Sequence, residues 1–224
     1  MSLSAEALAA LQEHLGAEVS VDDLMQAQTT GGGRGLRKLV GEVNEEGSDR
    51  GSDDSDTLQM AWVEGGDSVA PPCHVAKDKI PTIIEFLELE SHDVLYDLGC
   101  GDGRVCIAGV AAGAASACGI EIEEALVHKF QGLIDQAVAA GEVPAGSVRA
   151  VLSDLRAQTL EDATAVYCYL LPEVFPLIRE ILLSVLQRGG RLICNTWGPK
   201  EWTPVQTCDV ENVTLLKYTL ASTL

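Results

Sequence analysis

Positive charge is scarce in this chain. Of its 224 residues, 15 are Lys or Arg and 34 are Asp or Glu, a formal net charge of −19. Unspecific binding to nucleic acid or to an anionic membrane needs the opposite balance, so composition argues against both. Long apolar runs are missing too. No stretch reaches the roughly 18 unbroken apolar residues of a membrane span, and the longest candidate, Ile107 to Ile120, is rich in Gly and Ala and reads as a buried helix turning into a strand. Paired cysteines are absent: the seven (73, 100, 106, 118, 168, 194, 208) form no C-x-x-C, and five lie inside apolar runs. This distribution fits reduced, packed thiols rather than a disulfide framework or a zinc site. The histidines at 14, 74, 92 and 128 form no H-x-x-x-H, so no metal site is expected. No Arg precedes Arg34 and the N-terminus carries acids, which resembles neither a signal nor a transit peptide. The expected compartment is the cytoplasm.

What is present divides the chain. Residues 4–15 suit a short amphipathic helix through Leu8, Leu11 and Leu15. The stretch from Gly41 to Asp56 holds seven carboxylates, one Arg, and almost nothing to bury. Such a segment does not offset the entropy of ordering itself. The expectation is a disordered, Gly/Ser-rich acidic region over 1–59 and one folded domain over 60–224. Within the domain, helical and strand periods alternate. A helix begins near Ile80, strands are expected at 93–98, 117–122, 148–152, 163–170 and 191–197, and helices from Gly103, over 123–140 and over 173–187. The tail V-T-L-L-K-Y-T-L reads as a closing strand or hairpin partner. Alternation of this kind implies an α/β fold with a mostly parallel sheet covered on both faces, its ligand at the carboxyl ends of the strands.

At the end of the first strand stands D-L-G-C-G-D-G-R (97–104). A dinucleotide turn would read G-x-G-x-x-G, and its third glycine would fall on Arg104. The charge is also wrong. A carboxylate about 4 Å from a phosphate oxygen opposes it by about 4 kcal/mol at intermediate dielectric, and Asp97 and Asp102 are both here. S-adenosylmethionine (SAM) has no phosphate and offers an ammonium and a sulfonium. Asp97 suits the ammonium, and Gly99, Cys100, Gly101 and Gly103 let backbone approach the methionine part. The second strand ends at Glu121, eighteen residues after Gly103, where a carboxylate accepts ribose hydroxyls. The third is followed by Asp154 and Leu155, with Asp154 placed for the adenine amino group.

These residues carry a resemblance. D-L-G-C-G-D-G, G-I-E (119–121) and S-D-L (153–155) resemble the cofactor motifs of the seven-strand (class I) SAM-dependent methyltransferases. D-A-T-A-V-Y-C-Y-L-L-P-E (162–173) and R-L-I-C-N-T-W-G-P-K-E-W-T-P (191–204) are similar to one branch, the lysine methyltransferases of the ATP synthase c-subunit and adenine nucleotide translocase with their bacterial relatives. The resemblance covers roughly 72–204 and implies a Rossmann-like three-layer sandwich with a seven-strand sheet. It further implies SAM as cofactor, a protein lysine as acceptor, and an acceptor pocket shaped by Tyr169, Pro172 and Trp197. Cys73-His74-Val75 stands where that branch carries V-P-T or V-P-S. A monomer without a nucleic-acid partner is expected. A small-molecule acceptor, or a SAM-binding interaction module with weak catalysis, are the alternatives.

Overall fold

The computed structural model describes residues 75–210 and 213–223. The helix expected at 4–15, the acidic stretch, the boundary at 59/60, Cys73 and His74 lie outside them. The chain divides at Pro71–Pro72, and the described residues belong to the second unit.

Seven strands form one sheet in the order β3-β2-β1-β4-β5-β7-β6. They are β1 (Val94–Leu98), β2 (Ser116–Glu121), β3 (Val148–Leu152), β4 (Ala165–Cys168), β5 (Arg191–Asn195), β6 (Gln206–Val210) and β7 (Val213–Tyr218). The first five pair in parallel, while β7 runs antiparallel to both β5 and β6. The expected α/β architecture is thus the one observed. The tail read as a closing strand or hairpin partner is β7, and it forms a hairpin with β6. Strand β6 went unseen because, as an edge strand, it buries little and shows no apolar face.

Helices cover both faces. Helices α1 (Ile80–Leu87), α2 (Arg104–Ala111) and α3 (Glu124–Ala139) lie on one, packed with Leu95, Ala117, Ala165, Tyr167, Ile193 and Leu215. Helix α4 (Phe175–Gln187) covers the other, buried through Phe175, Ile178, Leu182, Val185 and Leu186 against Leu98, Ile120, Val166 and Leu192. Strand parity decides which side chain faces which layer. Successive residues of β1 and β4 are buried on both sides, which is why they read as continuous apolar runs. Helix α1 tolerates Pro81 in its first turn and stops at Glu88, whose φ of 49° is left-handed.

A polar clamp closes the amino-terminal edge. Asp93 is fully buried and accepts from Arg191 Nη1 at 3.1 Å and Nη2 at 2.7 Å, from Thr164 Oγ1 at 2.6 Å and from the Glu90 N–H at 2.7 Å. Arg191 also donates to the carbonyls of Leu87 and Glu88. Burial pushes the Asp93 carboxyl up, but these donors outweigh it and hold its pKa at about 2. The clamp joins β1, β5 and the end of α1 at the edge opposite the glycine turn. The six described cysteines are free thiols, five of them buried. Among the described residues no helix is long and apolar enough to cross a membrane.

Candidate active site

Beyond Leu98 the chain turns through Gly99 to Gly103 before entering α2. Gly99, Gly101 and Gly103 have φ of 74°, 57° and 73°, a region that costs residues with a Cβ. Space adds a second demand at Gly103, where a Cβ would come within 2.0 Å of the Phe130 ring. The turn is pinned to β2 by its own amides. The N–H groups of Gly99 and Cys100 both donate to the Ile120 carbonyl, at 2.9 and 3.1 Å, and the Gly101 N–H donates to Glu121 Oε2 at 2.9 Å. Cys100 is buried and faces the space above Gly119; burial pushes its thiol up, so it sits there as a small neutral filler.

The acids differ sharply in how they are satisfied. Glu121 is buried, with Oε1 accepting from the Ile122 and Glu123 N–H groups at 2.8 and 3.0 Å while Oε2 takes Gly101. Its oxygens have four lone-pair sites in all, so acceptor capacity remains for hydroxyls. Asp97, 3% exposed, receives no hydrogen bond from any described residue. Burial first, then the charges of Glu121 and Asp102, push its carboxyl well above the usual range. Asp102 is also buried, but Arg104 holds it with two bonds of 2.8 and 2.6 Å, and Lys129 approaches to 3.4 Å. The second acid of the turn is therefore neutralised from inside the protein, by the residue that occupies the place of a dinucleotide turn's third glycine. Arg104 also donates to the Val75 carbonyl at 2.9 Å.

Asp154 follows β3 on the same edge, and there it caps a 3-10 turn. It accepts from the Arg156 N–H at 2.8 Å and is gripped by the Arg156 guanidinium, whose hydrogen bonds hold its pKa below the ordinary value. An adenine amino group would share this carboxylate with Arg156. Leu155 is half-buried against the cluster that contains Leu98 and Ile120.

At the ends of β4 and β5 the aromatic residues meet. Tyr169 and Trp197 stack with ring centroids 5.8 Å apart and planes 20° from parallel. Pro172 is buried just before α4. Thr196 precedes Trp197 with φ of 65°, a strained setting for a β-branched residue, held by its N–H on the Thr214 carbonyl at 2.7 Å. Two buried polar side chains nearby escaped sequence reasoning. Asn195 donates from Nδ2 to the Tyr167 hydroxyl at 3.0 Å and accepts from Thr196 Oγ1 at 2.9 Å. In sequence Tyr167 looks like strand core; the signal that would have found the pair is two polar groups at adjacent strand ends. Phe130, Arg104 and Lys129 were missed as supports because their contacts lie in the tertiary fold.

These residues fit SAM. A buried carboxylate without a donor faces a glycine turn that admits close backbone approach, and the turn's other acid is already neutralised. An ammonium supplies the missing partner, whereas a phosphate would not. Sheet order and site together define a seven-strand SAM-dependent methyltransferase. The ANTKMT methyltransferase domain matches residues 97–206, and the chain belongs to the SAM-dependent methyltransferases. It is 32% identical to an RNA methyltransferase from Salinibacter ruber solved with S-adenosyl-L-homocysteine, with a TM-score of 0.60 over 66% of this chain and 94% of that one. A protein-lysine N-methyltransferase of Saccharolobus islandicus (strain REY15A) is 27% identical over 131 residues, 58% of this chain and 78% of that protein. A precorrin 8w decarboxylase from Methanobacterium thermoautotrophicum shares the fold, at 15% identity and a TM-score of 0.50 over 65% of this chain and 91% of that one.

Proposed function

We propose that the chain transfers methyl groups from SAM to lysine side chains of a protein. The observation that carries this reading is the Tyr169–Trp197 stack at the rim of a cofactor site lined with carboxylates. Two near-parallel rings at the ends of adjacent strands make a wall against which an aliphatic side chain and its cationic head can lie. The Saccharolobus relative named as a protein-lysine N-methyltransferase supports it. The Salinibacter relative is named for RNA, yet residues 72–224 here carry 20 acidic and only 11 basic residues. That surface favours a basic protein segment over a phosphate backbone. The buried free thiols fit a reducing compartment, as in the cytoplasm.

Bound SAM supplies a methyl group already activated on a sulfonium. The protein's part is alignment and the exclusion of water, so positioning supplies most of the gain. Asp97 holds the ammonium end, Glu121 orients the ribose, and Pro172 with Tyr169 and Trp197 shapes the approach of the acceptor. A lysine must arrive as the free amine, which burial beside a cation favours. Nitrogen then forms the bond to the methyl carbon as the carbon–sulfur bond breaks, and the proton left on nitrogen goes to solvent.

Labelled SAM incubated with lysate tests the reading. Label should stay with protein after ribonuclease treatment and appear as methyl-lysine in the hydrolysate. Label removed by ribonuclease, or confined to small molecules, would assign a different acceptor. SAM binding without any transfer would leave an interaction module.

A further inference from the structure

Asp97, Tyr167 and Asn195 stand at the carboxyl ends of the neighbouring strands β1, β4 and β5. Asp97 and Tyr167 are direct register partners, and Asn195 lies two residues beyond Ile193, the partner of Tyr167. All three project from the face that α1, α2 and α3 cover, and they are 3%, 1% and 2% exposed. Their hydrogen-bond inventories are complementary. Asp97 is an acceptor to which no described residue donates. Tyr167 is the converse: its oxygen accepts from Asn195, and its own proton meets no acceptor among the described residues. Asn195 turns Oδ1 to the Thr196 hydroxyl and its amide nitrogen to Tyr167, and in this arrangement the phenol keeps its donor to offer. Burial and the nearby Asp97 charge push the phenol's pKa up, so it stays protonated. A buried donor and a buried acceptor, each short of a partner, are both costly.

The amino-acid end of SAM carries one group of each kind. The geometry points to Tyr167 as the hydrogen-bond donor to the methionyl carboxylate of SAM, with Asn195 and Thr196 as the positioning residues that aim it while Asp97 takes the ammonium. The pair thus reads both charges of a zwitterion. Strain at Thr196 gains a purpose: its left-handed backbone sends the hydroxyl back to Asn195 and the next residue, Trp197, out to the Tyr169 stack. The inference depends on the cofactor and not on which acceptor is methylated.

The test compares two ligands by calorimetry, SAM and decarboxylated SAM, which keeps the ammonium, sulfonium and adenosine. Tyr167→Phe removes one hydroxyl and leaves the ring. It should weaken SAM roughly ten- to a hundredfold, the value of a hydrogen bond to a charged group, and leave decarboxylated SAM unchanged. Asn195→Ala should show the same selectivity with a smaller loss, and it carries the comparison alone if Tyr167→Phe does not fold. Equal loss for both ligands would mean a merely structural role or action through Asp97, and no loss for either would remove Tyr167 from the site. Both results overturn the assignment.

Discussion

Replacing Gly119 with alanine asks whether the glycine turn is held by packing from below. Gly119 lies mid-strand in β2, opposite Asp97, and its backbone is not left-handed, so an alanine is objectionable only for the space it takes. A Cβ there would sit 2.6 Å from both Cys100 Sγ and the Phe130 ring, and 2.9 Å from Cys100 Cβ, against the 3.4 Å at which ordinary contact begins. Something must move by close to an ångström. Phe130 is fully buried and also fills the space against Gly103, so it has nowhere to retreat. The turn gives instead, dragging Cys100 and Gly101 from their bonds to Ile120 and Glu121. Overpacking of this kind costs about 1–3 kcal/mol, which lowers Tm by roughly 3–10 °C in a domain of this size. Restoring the turn to receive SAM draws on the same energy, so SAM should bind about tenfold more weakly or worse. Thermal melts and calorimetry read the two effects. Adding Phe130→Leu makes room, so the double variant should recover part of both losses, with a coupling of about 0.5–3 kcal/mol. Wild-type melting and SAM affinity in Gly119→Ala, or strict additivity in the double variant, would refute the reasoning.

Further outcomes are expected from the charged groups and the aromatic wall. Asp97's carboxyl lies above its usual range without ligand, and an ammonium favours its ionised form, so SAM binding releases a proton in the pH window between the two values. Affinity should therefore rise with pH through that window and level off above it; calorimetry in buffers of different ionisation enthalpy that finds no proton release speaks against Asp97 as the ammonium's partner. For Asp93 the sign is reversed. Its folded pKa is depressed from 3.8 to about 2, so its contribution, on the order of 2 kcal/mol, is present above pH 4 and lost as pH falls toward 2. Asp93→Asn should flatten that part of the stability–pH curve, and an unchanged acid limb would dismiss the clamp. Trp197→Ala should raise KM for the acceptor while the Kd for SAM stays as it was; a matching loss of SAM affinity would place Trp197 against the cofactor instead.

Much of the fold was legible because the sheet is buried on both faces. Strand β1 and helix α3 appear within a residue or so of the spans read from sequence. Strand β4 is shorter than its apolar run suggests, since beyond Cys168 the chain leaves the ladder toward Pro172. The glycine turn was legible for a different reason: its glycines and acids are contiguous, and their spacing and charge sign together separate it from a dinucleotide turn. Relations across distance were hidden. That Lys129 reaches Asp102 across 27 positions, and that Phe130 fills the hollow left by Gly103 and Gly119, are facts of packing. Asp102 itself reads as an acid tolerated for want of a phosphate, whereas the fold neutralises it with two cations. Asp154 shows the limit of spacing arguments, because a guanidinium two residues away engages it.

The buried clamp of Asp93 and Arg191 has a consequence for how such a protein diversifies. Asp93 accepts four hydrogen bonds from within the chain and Arg191 donates four, so the clamp at the amino-terminal edge of the sheet is held without any guest. Among the described residues the opposite edge leaves an unmatched acid at Asp97 and a phenol proton without an acceptor at Tyr167. Folding therefore draws on one rim and selectivity on the other, some five residues of strand away. Substitutions around Tyr169 and Trp197 leave the hydrogen bonds of the far clamp in place.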